Sequence, residues 1–116
     1  MLTLARGLEA GALSSEVGGV RVELASIPGR PGTGGLTEYV VRLTDAARRP
    51  VSGARLTLRG AMADGMSVVT PLRPDGEDGV YRGRVLYTME GRWELTLRLV
   101  HGGRPFELPL TEHVGR

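Results

Sequence analysis

The chain is 116 residues long, carries a formal net charge of +2, and contains neither cysteine nor lysine. That length suits one domain with a core of its own, and the missing residue types exclude a disulfide framework, a thiolate metal site, a cysteine nucleophile, Schiff-base chemistry and a P-loop lysine. All 15 basic residues are arginine, spread along alternating segments instead of clustered, and the few aromatic residues fall mostly on core-facing positions, so no surface for nucleic-acid binding is expected.

Residues 1–19 carry Arg6 and Glu9 where a signal peptide needs an unbroken apolar run, and read as a flexible, partly helical lead-in to a domain over 20–113. No apolar stretch is long enough to cross a bilayer as a helix. Val20, Val22 and Leu24 mark a first strand. The following I-P-G-R-P-G-T-G-G, residues 27–35, reads as a mobile linker; it lacks the lysine and the strand–loop–helix setting of a phosphate cradle. Tyr39, Val41 and Leu43 mark a second strand, residues 45–54 a turn in which Pro50 fixes one dihedral, and Leu56 and Leu58 a third strand. A shorter fourth strand is expected over Met66 to Thr70. Residues 71–79, P-L-R-P-D-G-E-D-G, are too rich in breakers to pair centrally and read as a surface connection.

From Gly79 to Leu99 two alternating segments meet at a short glycine-containing turn. Tyr81, Val85 and Tyr87 share one parity before it, and Trp93, Leu95, Leu97 and Leu99 share one after it. Gly102–Gly103 then makes a two-residue hairpin loop. The register follows by arithmetic: His101 faces Arg104, Leu99 faces Phe106, Leu97 faces Leu108 and Leu95 faces Leu110. Pro105 and Pro109 fall on the opposite parity and blunt the last strand as a sheet edge. The expected fold is an all-β, immunoglobulin-like β-sandwich of about seven antiparallel strands. Trp93 reads as a core anchor, and Tyr81 as a tyrosine corner whose hydroxyl bonds back to the preceding connection.

Alternating strand direction sends alternate loops to opposite ends of such a sandwich. Met62, Asp64 and Met66 then share one end with Met89, Glu90 and the tail carrying His113, while His101 goes to the other end with Arg48 and Arg49. Thioether sulfurs are soft, so Met62, Met66 and Met89 with the imidazole of His113 form a candidate Cu(I) set that excludes hard ions. The plainer use of the same methionines is to plug the end of the sandwich, and a histidine near a chain end is commonly solvated. Two histidines at opposite ends without cysteine do not make a zinc site. Enzymatic readings find little support. No serine sits in a nucleophile-elbow context, and the carboxylate pairs Glu77–Asp78 and Asp64–Glu90 lack an aromatic platform or lie in a turn.

Several short motifs carry a resemblance over roughly residues 36–100: Tyr39 with Val41, Pro50-Val51 and Gly53-Ala54 before a strand, Met62 and Met66 in A-M-A-D-G-M, Gly79-x-Tyr81, and Met89 followed by Gly91-Arg92-Trp93. In these the chain resembles the YtkA-like group of small immunoglobulin-like extracytoplasmic domains. The resemblance implies a non-enzymatic binding or assembly module, periplasmic or extracellular, membrane-anchored in its full-length form and partnered by a copper-transport or respiratory-oxidase protein. It also implies Cu(I) as the ligand of Met62, Met66 and Met89, with His113 as fourth. The alternative is a metal-free structural domain that mediates protein–protein interaction within a larger membrane or surface protein.

Overall fold

The computed structural model describes residues 12–116. These form β1 (Ala12–Val17), β2 (Val20–Ile27), β3 (Leu36–Thr44), β4 (Arg55–Ala61), β5 (Ser67–Asp75), β6 (Glu77–Leu86), β7 (Gly91–His101) and β8 (Arg104–Val114). Among the described residues no helix is long and apolar enough to cross a membrane. The strands follow the order β1-β2-β3-β6-β5-β4-β7-β8, every neighbouring pair antiparallel. This is the expected all-β architecture with one strand more. The sheet folds over on itself into two layers, β1-β2-β3-β6 and β4-β7-β8.

The fold-over is made by β5, where the sequence reading and the structure part. Residues 71–79 are not a surface connection: β5 continues through Pro71 and Pro74 to Asp75. Its first part, Ser67–Leu72, pairs with β4, and its last residues, Arg73–Asp75, pair with β6 across an irregularity at Pro74/Asp75. Because the strand leaves one layer and joins the other, each half pairs on one side, and a proline is tolerated on the unpaired side. The other difference is at the start. Residues 12–17, read as part of the lead-in, pair with β2 from Ala12↔Ala25 to Val17↔Val20 through the Gly18–Gly19 turn, and residues 1–11 of that lead-in lie outside the described residues.

The last hairpin has the register derived above, from His101↔Arg104 inward to Gly91↔Val114. Gly102 and Gly103 both take positive φ, 61° and 75°, which the primed two-residue turn requires and a side chain would resist. β8 is a terminal strand of the sheet order, with Pro105 and Pro109 on it. It closes on the β1–β2 turn: a Cβ on Gly18 would run into the Phe106 ring, so that turn sits directly under the ring.

Inward parity fills the space between the layers. Val22, Leu24, Tyr39, Val41 and Tyr81 on one side meet Leu58, Trp93, Leu95, Leu97, Leu108 and Leu110 on the other, all buried. Tyr81 forms the corner, but with a more distant connection than its neighbour in sequence. Its hydroxyl donates to the Val51 carbonyl at 2.8 Å and accepts from the Ala54 N–H at 3.2 Å, pinning the β3–β4 loop. Removing that hydroxyl strands two buried backbone groups. Tyr81→Phe is expected to lower stability by about 1–3 kcal/mol, read as a lower urea midpoint at unchanged slope.

Candidate functional site

The strand directions divide the loops between two ends. The β1–β2, β3–β4, β5–β6 and β7–β8 connections share one end with His101. The β2–β3, β4–β5 and β6–β7 connections share the other, the methionine pole, with the end of β8. The 62–66 and 89–90 segments are therefore neighbours, as expected.

The β4–β5 loop is a closed turn. The Met62 N–H donates to the Met66 carbonyl at 2.8 Å and the Gly65 N–H to the Met62 carbonyl at 3.1 Å. Asp64 Oδ1 accepts from the Met66 N–H at 3.1 Å, the local use to which a short carboxylate is suited. Met62 turns inward against the core, and its Cε lies so close to Gly91 that a Cβ there would stand 2.7 Å away. This is where the two methionine-bearing loops touch. On the second loop, Trp93 Nε1–H donates to the Met89 carbonyl at 3.1 Å, fixing the turn to the core. Met66 and Met89 are 37% and 41% exposed, so one sulfur-bearing side chain is packed and two face outward at the same pole.

His113 is not on that inner face. It is exposed, opposite Arg92 in register, and its charge acts on Glu94, all on the outer side of the β7–β8 ladder. The structure places it at the predicted pole but does not bring it together with Met62. Among the described residues no three histidine, aspartate or glutamate side chains gather as a metal-ligand set. The acidic candidates have other partners: Glu90 pairs with Arg116 at 3.2 Å and Glu77 with Arg42 at 2.7 Å. The arginine beside it holds the Glu77 carboxyl below the usual carboxylate range.

The glycine-rich run 27–35 is more tied down than a linker. Gly32 bridges to Gly115 in parallel, the Thr33 N–H donates to the Gly115 carbonyl at 3.0 Å, and the Gly115 N–H donates to the Pro31 carbonyl at 3.0 Å. This clips the loop to the end of the chain and leaves an indentation of about 290 Å³ beside it, with Arg30, Thr37 and Arg116 in its wall.

Behind the pole lies a polar cluster that the sequence reading did not single out. Tyr39 Oη donates to Glu112 Oε2 at 3.0 Å and lies 2.6 Å from Tyr87 Oη. Tyr39 has one hydroxyl proton and gives it to the carboxylate, so the Tyr87 hydroxyl donates to Tyr39, making a directed chain Tyr87–Tyr39–Glu112. Glu112 is 3% exposed and has no arginine partner among the described residues. Burial pushes its carboxyl up to about 7, against which the Tyr39 hydrogen bond works only partly. Burial also pushes the Tyr87 hydroxyl up to about 12 and Tyr39 higher still. Trp93, opposite Glu112 in register, meets Tyr87 edge-on with ring centroids 5.1 Å apart.

The comparisons fit this architecture. No curated protein matches the chain. Among solved structures, a DUF4426 family protein from Pseudomonas aeruginosa PAO1 resembles it with a TM-score of 0.67 at 12% identity, over 90% of this chain and 95% of that one, a likeness of fold alone. A family model described as YtkA-like matches residues 14–98, most of the described β-structure and both methionine-bearing loops. The chain belongs to the YtkA-like family.

Proposed function

We propose that this small β domain is a non-enzymatic extracytoplasmic binding module whose methionine pole takes up Cu(I) through the thioethers of Met62, Met66 and Met89, in copper handling or oxidase assembly. One observation carries the reading: the Met62 methyl rests against Gly91, two residues beyond Met89, so the two loops that bear the soft donors are in contact. Thioethers favour Cu(I) over hard cations, and a neutral donor set binds it reversibly, which suits transfer between proteins. His113, on the outer face beside Arg92, is a separate and weaker candidate for the fourth position.

The test is a competition titration against a Cu(I) chelator under reducing conditions. The wild-type chain is expected to bind at least roughly tenfold more tightly than the Met62→Leu, Met66→Leu, Met89→Leu variant, a difference of about 1.4 kcal/mol. His113→Ala is expected to change affinity less than any single methionine substitution. Equal affinity of wild type and triple variant would leave the second reading, a metal-free interaction domain. That reading has its own support in Leu36 and Leu86, cross-strand partners 55% and 53% exposed on the outer face of the β3–β6 ladder.

A further inference from the structure

Where β5 changes layers, the sheet opens. Its pairing with β6 covers only Arg73↔Arg82, Pro74↔Tyr81 and Asp75↔Glu77, while β6 stays paired with β3 on its other side as far as Leu36↔Leu86. Gly83 marks the point of divergence: a Cβ there would stand 2.7 Å from the Pro71 carbonyl oxygen, so the strands touch at Gly83 and separate beyond it. The result is a notch of about 500 Å³ between Thr70–Pro71 and Gly83–Arg84. Thr70 and Arg84 stand in its wall, and the strand edges that run on from them, residues 67–70 of β5 and 84–86 of β6, have no ladder partner on their facing sides among the described residues. Alternate N–H and C=O groups of an unpaired edge point outward and are a template for one more strand. The outer edge of β8 has prolines to prevent this; the 84–86 segment has none.

The side chains around the notch specify what would enter. Arg82 is occupied by Glu38 and Asp75. Arg84 has only a 3.8 Å approach to Glu38 and is 68% exposed along its side chain, and Arg73 has no ion-pair partner among the described residues. Each edge also bears an exposed aliphatic residue, Val69 at 65% and Leu86 at 53%. We infer that the β5–β6 notch is a docking site for an extended acidic segment of a partner protein, which adds a strand along β6; Val69, Arg73, Arg84 and Leu86 share the outer face, so every second residue of that strand faces them, acidic beside Arg73 and Arg84 and aliphatic beside Val69 and Leu86. Main-chain bonding supplies affinity in such augmentation, and side-chain charge supplies selection. These edges adjoin the methionine pole at Met66 and Met89, but the proposed contacts use no thioether, so their failure would leave the Cu(I) reading standing.

The probe is a capped synthetic peptide in which valine and glutamate alternate at every second position with threonine between them, titrated into the full chain in the absence of metal and followed by amide resonances and hydrogen exchange. Saturable binding with new protection confined to residues 67–70 and 84–86 is expected. Arg73→Glu, which places an acid opposite Arg82 and so does not threaten folding, is expected to weaken binding roughly tenfold, as is Arg84→Ser. A valine–lysine peptide is expected not to bind. No protection at millimolar peptide, equal binding of the lysine peptide, or equal binding by Arg73→Glu would each overturn the proposal. So would self-association of the free chain that protects the same amides, because the occupant would then be a second copy.

Discussion

Glu112→Gln should make the protein more stable at pH 8 and leave it nearly unchanged at pH 4. In the folded chain burial raises the Glu112 carboxyl to about 7 from an ordinary 4.5. An acid raised in the folded state is neutral there while its unfolded counterpart is already ionised. Its contribution is therefore fully present below pH 4.5, falls as pH rises from 4.5 to 7, and stays lost above 7. The difference amounts to about 3 kcal/mol of stability across that window. Glutamine keeps the oxygen that accepts from Tyr39 and removes the ionisation, so the variant should lack this slope. The measurement is urea unfolding of both proteins at pH 4, 6 and 8, where a gain on the order of 10 °C in Tm at pH 8 should accompany the shift in midpoint. Parallel pH profiles for the two proteins would show that the carboxylate is not confined among Tyr39, Tyr87 and Trp93 as described. The exposed carboxylates Asp45, Glu77 and Glu94 are shifted the other way, downward, by hydrogen bonds and arginines. Their contribution is lost as pH falls, and it is common to both proteins, so the comparison removes it.

The burial of Glu112 was within reach of the sequence. The Gly102–Gly103 hairpin pairs residues whose numbers share one sum, and carried past Leu95↔Leu110 the same count sets Glu112 against Trp93. Trp93 faces inward, so Glu112 must too. What hides it is residue type: a glutamate reads as solvated unless its partners are known, and Tyr39 comes from β3 and Tyr87 from the connection after β6, both distant in the chain. The hairpin itself, the Tyr81 corner and the shared end of Met62, Met66 and Met89 were legible because period-two burial and strand alternation are local rules. β5 was not, since two prolines look like breakers until the strand is seen to pair on one side at a time. The outward position of His113 follows from simple parity beside Glu112, but strand direction alone, which assigns ends and not faces, does not give it.

Trp93→Ala is expected to have the largest single effect on stability, a loss of about 3–5 kcal/mol and so a large share of what a domain of this size holds. The indole is completely buried. Gly60 on β4 makes room beside it: a Cβ there would run into Leu95 Cδ2 and meet Val68 Cγ2 at 3.1 Å, with Trp93 Cε3 at 3.6 Å, so the space around the ring is already full. Truncation leaves a cavity that rigid strands on both sides do not collapse, and it deprives the Met89 carbonyl of its donor. Trp93→Phe separates the two contributions. It retains most of the apolar volume and loses the Nε1–H, so its cost should be nearer 1–2 kcal/mol. The slackening it causes should centre on the β6–β7 turn, read as faster amide exchange at Met89 and Glu90 than in the rest of the core. If the methionine pole binds Cu(I), that variant should also bind it more weakly while every thioether remains, because the indole is what fixes the Met89 turn against Met62. Because the chain has one tryptophan, its emission in the wild type should shift to the red only on global unfolding. An emission already red in the native state would contradict the packing from which both substitutions are argued.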